Sequence, residues 1–210
     1  MGMSCRYITI EREYGSGGTE IARRLAEECG IHCYGEEILE AVSKKLDIPV
    51  EQIQKYEETV TGSFLYTVFM MSRAQEGNAD MLTKDGHIFI AEQQEIKDFA
   101  ASGSAVFIGH CASEALKDRD VVKVFIRSSD RASKAVRIAE DYGIAEKNIE
   151  STRNRFDNKR AKYYYANTAK KWNDLSNYDI VLDSAKLGIE GCVAVLKGVF
   201  SEKQQNQASL

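Results

Sequence analysis

From Arg6 to Glu11 (RYITIE) apolar and polar residues alternate, the two-residue period of a strand. Gly15–Gly18 form a glycine turn, after which the period changes. Ile21, Ala22, Leu25, Ala26 and Cys29 recur at helical spacing, and Gly30 ends that helix. A short strand, Ile31–Tyr34, leads into a helix over Glu36–Leu46, and Pro49 opens another that reaches Glu58. Residues 59–84 carry no clear period; their apolar patch, Phe64–Met71, is read as helical. The remaining pattern predicts a helix at Ile88–Ala101, a strand at Ala105–Ile108, and a short helix after Gly109. A strand at Val121–Ile126 follows, then long helices at Asp130–Tyr142 and Ala145–Lys171, a strand at Asp179–Leu182 and a helix at Ile189–Phe200. Strands alternating with helices predict an α/β fold, a parallel sheet with helices on both faces.

Composition narrows this reading. The chain has 210 residues, 43% hydrophobic and 29% charged, which suits one globular domain spanning 1–210. A single proline and the lack of a Gly/Ser linker give no domain boundary. No apolar run approaches the roughly 18 residues of a membrane span, and MGMSCRYITIERE lacks the apolar core of a signal peptide. The formal charge of −4 argues against general nucleic-acid binding. Five scattered cysteines without a CxxC pair fit a cytoplasmic protein with structural thiols better than a zinc site.

Charge is unevenly placed. Residues 127–171 hold 12 Lys/Arg against 6 Asp/Glu, while the rest of the chain is acidic. Such a run is usually a solvated helix face, but this one contains Arg131, Arg137, Arg153, Arg155 and Arg160. The planar guanidinium fork suits phosphate, so an anion-binding role carries equal weight.

The glycine turn lies between the first strand and the first helix. Backbone N–H groups in such a turn, with the helix dipole behind them, cradle an anion. It is not a Walker A loop. With Gly17 as the second glycine of GxxxxGK[ST], Arg12 stands at the first, Gly18 at the lysine and Thr19 at the Ser/Thr. Arg12 is the candidate to supply the missing charge, with Thr19 and Glu20 the candidates for Mg²⁺.

These residues resemble the cytidylate kinase-like family, a branch of the P-loop nucleoside monophosphate kinases. The family's R-x-x-G-S-G-G-x-x-I is matched by Arg12 to Ile21, and its I-x-x-Y by Ile31 to Tyr34. Its Val/Ile-x-Gly-Arg-Cys-Ala is approached by Phe107-Ile108-Gly109-His110-Cys111-Ala112, and V-F-I by Val124–Ile126. Asp157-Asn-Lys-Arg160-Ala161-Lys-Tyr163-Tyr164 resembles D-x-x-R-A-x-Y-Y. Lys171 to Asp179 and Leu187 to Gly191 resemble K-x-W-x-D-x-S-x-Y-D and L-G-I-E-G.

The resemblance implies a three-layer P-loop fold with a core of about 1–34, 85–127 and 172–205. It also implies an acceptor-binding insertion of about 35–84 and a helical lid of about 128–171. The activity implied is ATP-dependent, Mg²⁺-assisted phosphoryl transfer to a nucleoside monophosphate, CMP or dCMP first. Arg12, Gly15, Ser16, Gly17, Gly18, Thr19 and Glu20 would take the donor phosphates and Mg²⁺. Arg153 and Arg160 are the first lid arginines for the transition state, Arg131 and Arg137 the second, and Asp157 would orient an arginine. Glu37 and His110 are the acceptor candidates. Two positions depart from the family: Gly35 follows Tyr34 where aspartate is frequent, and His110 replaces an arginine that holds the acceptor. They keep two alternatives open, a kinase for another small phosphate acceptor and a nucleotide-binding regulatory protein. His32 and His87 are read as structural or surface groups, and Trp172 as a packing anchor. Tyr163–Tyr165 are read as base-stacking or packing residues. Phe64–Met71 is read equally as insertion core or as a self-association face, which would make a homodimer.

Overall fold

In the computed structural model, which describes residues 7–59 and 84–208, one sheet of five parallel strands organises the chain. Its order is β2 (His32–Tyr34), β3 (Ala105–Ile108), β1 (Tyr7–Arg12), β4 (Val121–Arg127), β5 (Ile180–Asp183). The chain moves to one edge of the sheet after β1 and reaches the other edge by way of β4. The strand order therefore reverses at β1, and a crevice opens beyond the carboxyl ends of β1, β3 and β4. Open α/β sheets bind ligands at that position.

Residue parity on β1 sorts the two faces. Ile8 and Ile10 are fully buried against α1 (Gly18–Cys29) and α8 (Ser184–Ala208), with Ile21, Leu25, Val193 and Leu196. Tyr7 packs on the opposite face with Phe107, Ile38 of α2 (Glu36–Leu46) and Ile96 of α4 (Lys84–Ala101). Beside that cluster lies another, formed by Ile53 of α3 (Val50–Thr59), Ile88, Phe125, Tyr163 and Trp172. Each fully buried isoleucine contributes about 1.5–3 kcal/mol relative to an exposed one. A short helix, α5 (Ala112–Ala115), follows β3.

The chain then forms α6 (Arg131–Tyr142) and α7 (Ile149–Thr168). Asp130 caps α6 by accepting from the N–H groups of Ala132 and Ser133, and Gly143 ends it at φ 63°. The helix expected over Ala145–Lys171 is shorter than its pattern suggests. Glu146–Asn148 are a 3-10 turn, and Ala169 closes α7 in a left-handed conformation. Thr168 helps to stop it: its hydroxyl donates to the Tyr164 carbonyl (2.6 Å) and accepts from the Lys170 N–H (3.1 Å). The last helix starts a turn earlier than expected, at Ser184. Gly188 (φ 68°, ψ 174°) interrupts it, and it resumes at the expected Ile189. The apolar patch Phe64–Met71 lies outside the described residues.

Candidate active site

The loop after β1 is pinned from three sides. Gly15 and Gly17 are both left-handed (φ 76°), and neither leaves room for a side chain. A Cβ on Gly15 would lie 2.7 Å from Ile138 Cγ1 of α6, and one on Gly17 2.5 Å from Ile189 Cδ1 of α8. Ser16 is fully buried between them. Its carbonyl accepts from the Ser184 hydroxyl (2.7 Å), and its own hydroxyl accepts from the Gly18 N–H (3.3 Å). The amino end of α1 therefore faces a fixed cavity of about 640 Å³, which Gly15, Gly17, Gly18 and Thr19 help to line. That end carries the positive pole of the helix dipole.

The helices α6 and α7 close over this loop. The Tyr14 ring is buried between Phe156 of α7 (centroids 4.5 Å, planes 5° apart) and Tyr142 of α6 (4.8 Å, 27°). Polar ties surround the stack. Tyr14 N–H donates to Asp157 (2.7 Å), Arg137 donates to the Gly15 carbonyl (2.9 Å), and Arg160 donates to the Arg12 carbonyl (2.9 Å). Buried Lys134 reaches back to Glu13 (2.6 Å), which also accepts from the Ser128 N–H (2.9 Å). Burial raises the Asp157 carboxyl, while the Tyr14 N–H and Arg160 pull it down.

A second cavity, of about 420 Å³, lies under α7 and between α2 and α3. Glu11, Leu39, Gln54, Phe156, Tyr163 and Tyr164 contribute to its walls. Arg12, Glu36, His110, Phe156 and Arg160 line both cavities, so this group is their common wall. Arg12 threads between two glycines. A Cβ on Gly18 would meet Arg12 Cβ at 2.5 Å, and one on Gly109 would meet Arg12 Nη1 at 2.6 Å. Arg12 Nε is buried with no hydrogen-bond partner among the described residues. Arg160 sits beside it, and burial followed by the Arg12 charge lowers its guanidinium to about 10. His110 is delivered by three successive left-handed residues, Gly109, His110 and Cys111 (φ 70°, 54°, 51°). A non-glycine residue in that region costs roughly 1–3 kcal/mol and persists where surrounding contacts enforce it. Here Gln93 holds the turn by donating to the His110 carbonyl (3.0 Å).

The sequence-derived candidates divide into two groups. Arg12, Gly15, Gly17, Gly18, Thr19, Glu20, His110 and Arg160 line one or both cavities. Asp157 and Arg137 act on the loop from α7 and α6, and Ser16 supports it from behind. Glu20 is engaged by Arg24 (2.5 Å). The other group points elsewhere. Arg153 lines neither cavity, being bonded to Glu150 (3.3 and 2.5 Å) and lying 4.0 Å from Asp157; Arg131 is exposed, and exposed Glu37 accepts from the Gly35 N–H (3.0 Å) at the start of α2. Sequence reasoning missed Glu11, Glu36 and the Lys134–Glu13 bond. Only the spacing of Glu11 and Glu13 around Arg12 hinted at them.

The Lys171–Asp179 stretch proves to be scaffolding. The buried Trp172 indole donates to Glu11 (3.0 Å), and the Tyr178 hydroxyl donates to the Trp172 carbonyl (2.7 Å). Asp179 accepts from the Lys123 N–H (2.8 Å). Among Tyr163–Tyr165, the first two are buried and line the smaller cavity, while Tyr165 is exposed. Burial raises the thiols of Cys29, Cys33 (to about 11) and Cys192, which leaves little thiolate at neutral pH. Among the described residues, no group of three or more His, Cys, Asp or Glu side chains converges on a metal position. No helix among them is long and apolar enough to cross a membrane.

The model of the cytidylate kinase-like family matches residues 7–186. A cytidylate kinase of Pyrococcus furiosus is 25% identical over 203 residues, covering 95% of this chain and 91% of the relative. A cytidylate kinase of Pyrococcus abyssi is also 25% identical, over 95% of this chain and 96% of its own. Among solved structures, an uncharacterized protein of Eubacterium ventriosum matches with a TM-score of 0.68 at 25% identity, over 93% of this chain and 98% of that one. A shikimate kinase of Bacteroides thetaiotaomicron matches with a TM-score of 0.51 at 13% identity over the same shares, a likeness of fold.

Proposed function

Because the chain belongs to the cytidylate kinase-like family, we propose that it transfers a phosphoryl group from ATP to a nucleoside monophosphate, CMP or dCMP first. The observation that carries this reading is the common wall. Two adjacent guanidiniums, one with a buried nitrogen unsatisfied, separate a glycine-loop cavity from an aromatic one. Two half-buried guanidiniums held side by side are costly until an anion arrives. A phosphoryl group in flight between the two cavities is such an anion.

On this reading the described part of the insertion, residues 35–59, and the lid of about 128–171 embrace the acceptor. The loop amides and the α1 amino end hold the donor phosphates. Arg12 and Arg160 stabilise the charge that spreads over the transferring oxygens. Asp157 positions Arg160, at 3.7 Å, while tying the lid to Tyr14. His110 and the tyrosines hold the acceptor, whose phosphate is already largely ionised at neutral pH, so no general base is required. The Thr19 hydroxyl, on the donor cavity, suits a Mg²⁺ carried in with the nucleotide, and Glu20 joins it only by leaving Arg24. Bound Mg²⁺ would neutralise donor charge.

His110 in place of arginine favours one further reading, a different phosphate-bearing acceptor, because imidazole lacks the bidentate fork. ³¹P NMR of the protein with Mg-ATP and each nucleoside monophosphate tests both. Transfer to CMP or dCMP alone supports the first reading. No transfer to any of them, with ATP bound, overturns it.

A further inference from the structure

Glu11 is the acidic side chain buried in the wall of the smaller cavity, 9% exposed at the carboxyl end of β1. One carboxylate oxygen, Oε2, accepts from the Trp172 indole at 3.0 Å. Among the described residues Glu11 forms no ion pair, although the charge of Arg160 feels it. A carboxylate has about four acceptor sites, so the indole leaves most of its capacity unused. Burying such a group without full compensation is unfavourable. The cavity is apolar along Leu39, Phe156 and the tyrosine rings, and cationic at Arg12 and Arg160. Its occupant must therefore be two-ended: anionic at the arginines, and a hydrogen-bond donor where it meets Glu11.

We propose that Glu11 is a specificity-determining residue, which accepts a hydrogen bond from a hydroxyl or amino group on the body of the phosphate-bearing acceptor. The inference rests on the smaller cavity being the acceptor site, as in the reading above. A site built to pair with such a group strongly rejects an analogue that lacks it, because the buried carboxylate is then left unpartnered. The fixed indole bond leaves Glu11 little freedom to turn away. An acceptor presenting only hydrogen-bond acceptors at this point meets like charge.

Isothermal titration calorimetry on the full chain tests this with CMP, dCMP, 2′,3′-dideoxy-CMP and UMP. The series removes the sugar hydroxyls and the base amine in turn, so it distinguishes the two sources of the donor group. We expect one of these removals to weaken wild-type binding by about 10- to 100-fold, the range for a hydrogen bond to a charged group. Glu11→Gln keeps an oxygen for Trp172 and turns an amide NH₂ to the cavity. It should shrink that difference to less than about threefold, with ATP affinity unchanged. Trp172→Phe removes the indole and leaves the carboxylate, so the discrimination should survive there. Wild-type affinities that are equal across the series, or absent, overturn the proposal. So does discrimination that Glu11→Gln leaves intact. Discrimination by Glu11 without transfer in the ³¹P experiment sinks the kinase reading alone.

Discussion

The two cavities share a wall and are built in opposite ways. The proposed donor side has one short stretch of backbone at its base, Gly15 to Thr19, locked by Ile138, Ser184 and Ile189, with side chains such as Arg23, Glu27, Asp141 and Tyr142 around it. The proposed acceptor side is made of side chains gathered from β1, α2, α3, the end of β3 and α7. Recognition of a phosphate needs only N–H groups and charge, which any nucleotide can use. Recognition of an acceptor needs shape and complementary polarity, which a dispersed set of side chains supplies. The difference predicts that variants of the shared wall damage both sides, and that variants of one side spare the other.

The largest effect is expected at the wall. Arg160→Ala should lower kcat by about 10³-fold, in the range for an arginine that stabilises a transferring phosphoryl group, and Arg12→Ala comparably. Steady-state kinetics with saturating ATP and acceptor checks this; a loss below tenfold for both would separate the two cavities functionally. Gly17→Ala should act on the donor side alone. Its left-handed φ and the 2.5 Å approach to Ile189 should raise KM for ATP tenfold or more and cost about 1–3 kcal/mol of stability in urea unfolding. KM for the acceptor should move little. His110→Arg adds a fork to the shared wall, so it should lower KM for CMP severalfold if CMP is the acceptor and shift KM for ATP as well. Arg153→Ala should change kcat by less than threefold, because its guanidinium is held by Glu150 away from either cavity.

A protonation measurement sharpens the same comparison. The folded Arg160 guanidinium, at about 10, lies below its ordinary 12.5, so between those values the folded chain holds fewer protons than the unfolded one. Stability contributed by this group therefore rises with pH through that window, and the burial penalty is fully present below about pH 10. A bound phosphate restores the charged form. ATP binding should then take up more protons at pH 10 than at pH 7.5, as read from titrations in buffers of different ionisation enthalpy.

The same contrast explains what was legible in the sequence. Every strand was readable, because apolar runs such as Ala105–Ile108 are short and bounded by turn residues. The glycine loop was readable because its residues are contiguous. The segment of α6 and α7 stood out by its charge, but its inner geometry did not. Arg153 and Arg160 stand seven places apart on one helix, and only the fold decides that one meets Glu150 and the other Arg12. Glu11 was hidden for a similar reason, since its partner Trp172 lies 161 residues away. The ends of α7 were misread because a 3-10 turn and a left-handed alanine carry no strong local signal.

The bonds that join the glycine loop to α7 and α8 also set an order of events in folding. Tyr14 bonds Asp157 across 143 residues, Arg12 bonds Arg160 across 148, and Ser16 bonds Ser184 across 168. Contacts this distant in the chain repay the entropy of loop closure only once most of it has been spent. Strand β1 and its loop thus complete their surroundings with segments synthesised more than 140 residues later. A chain emerging from the ribosome carries the glycine turn long before it carries the arginines and the serine that make the turn a site.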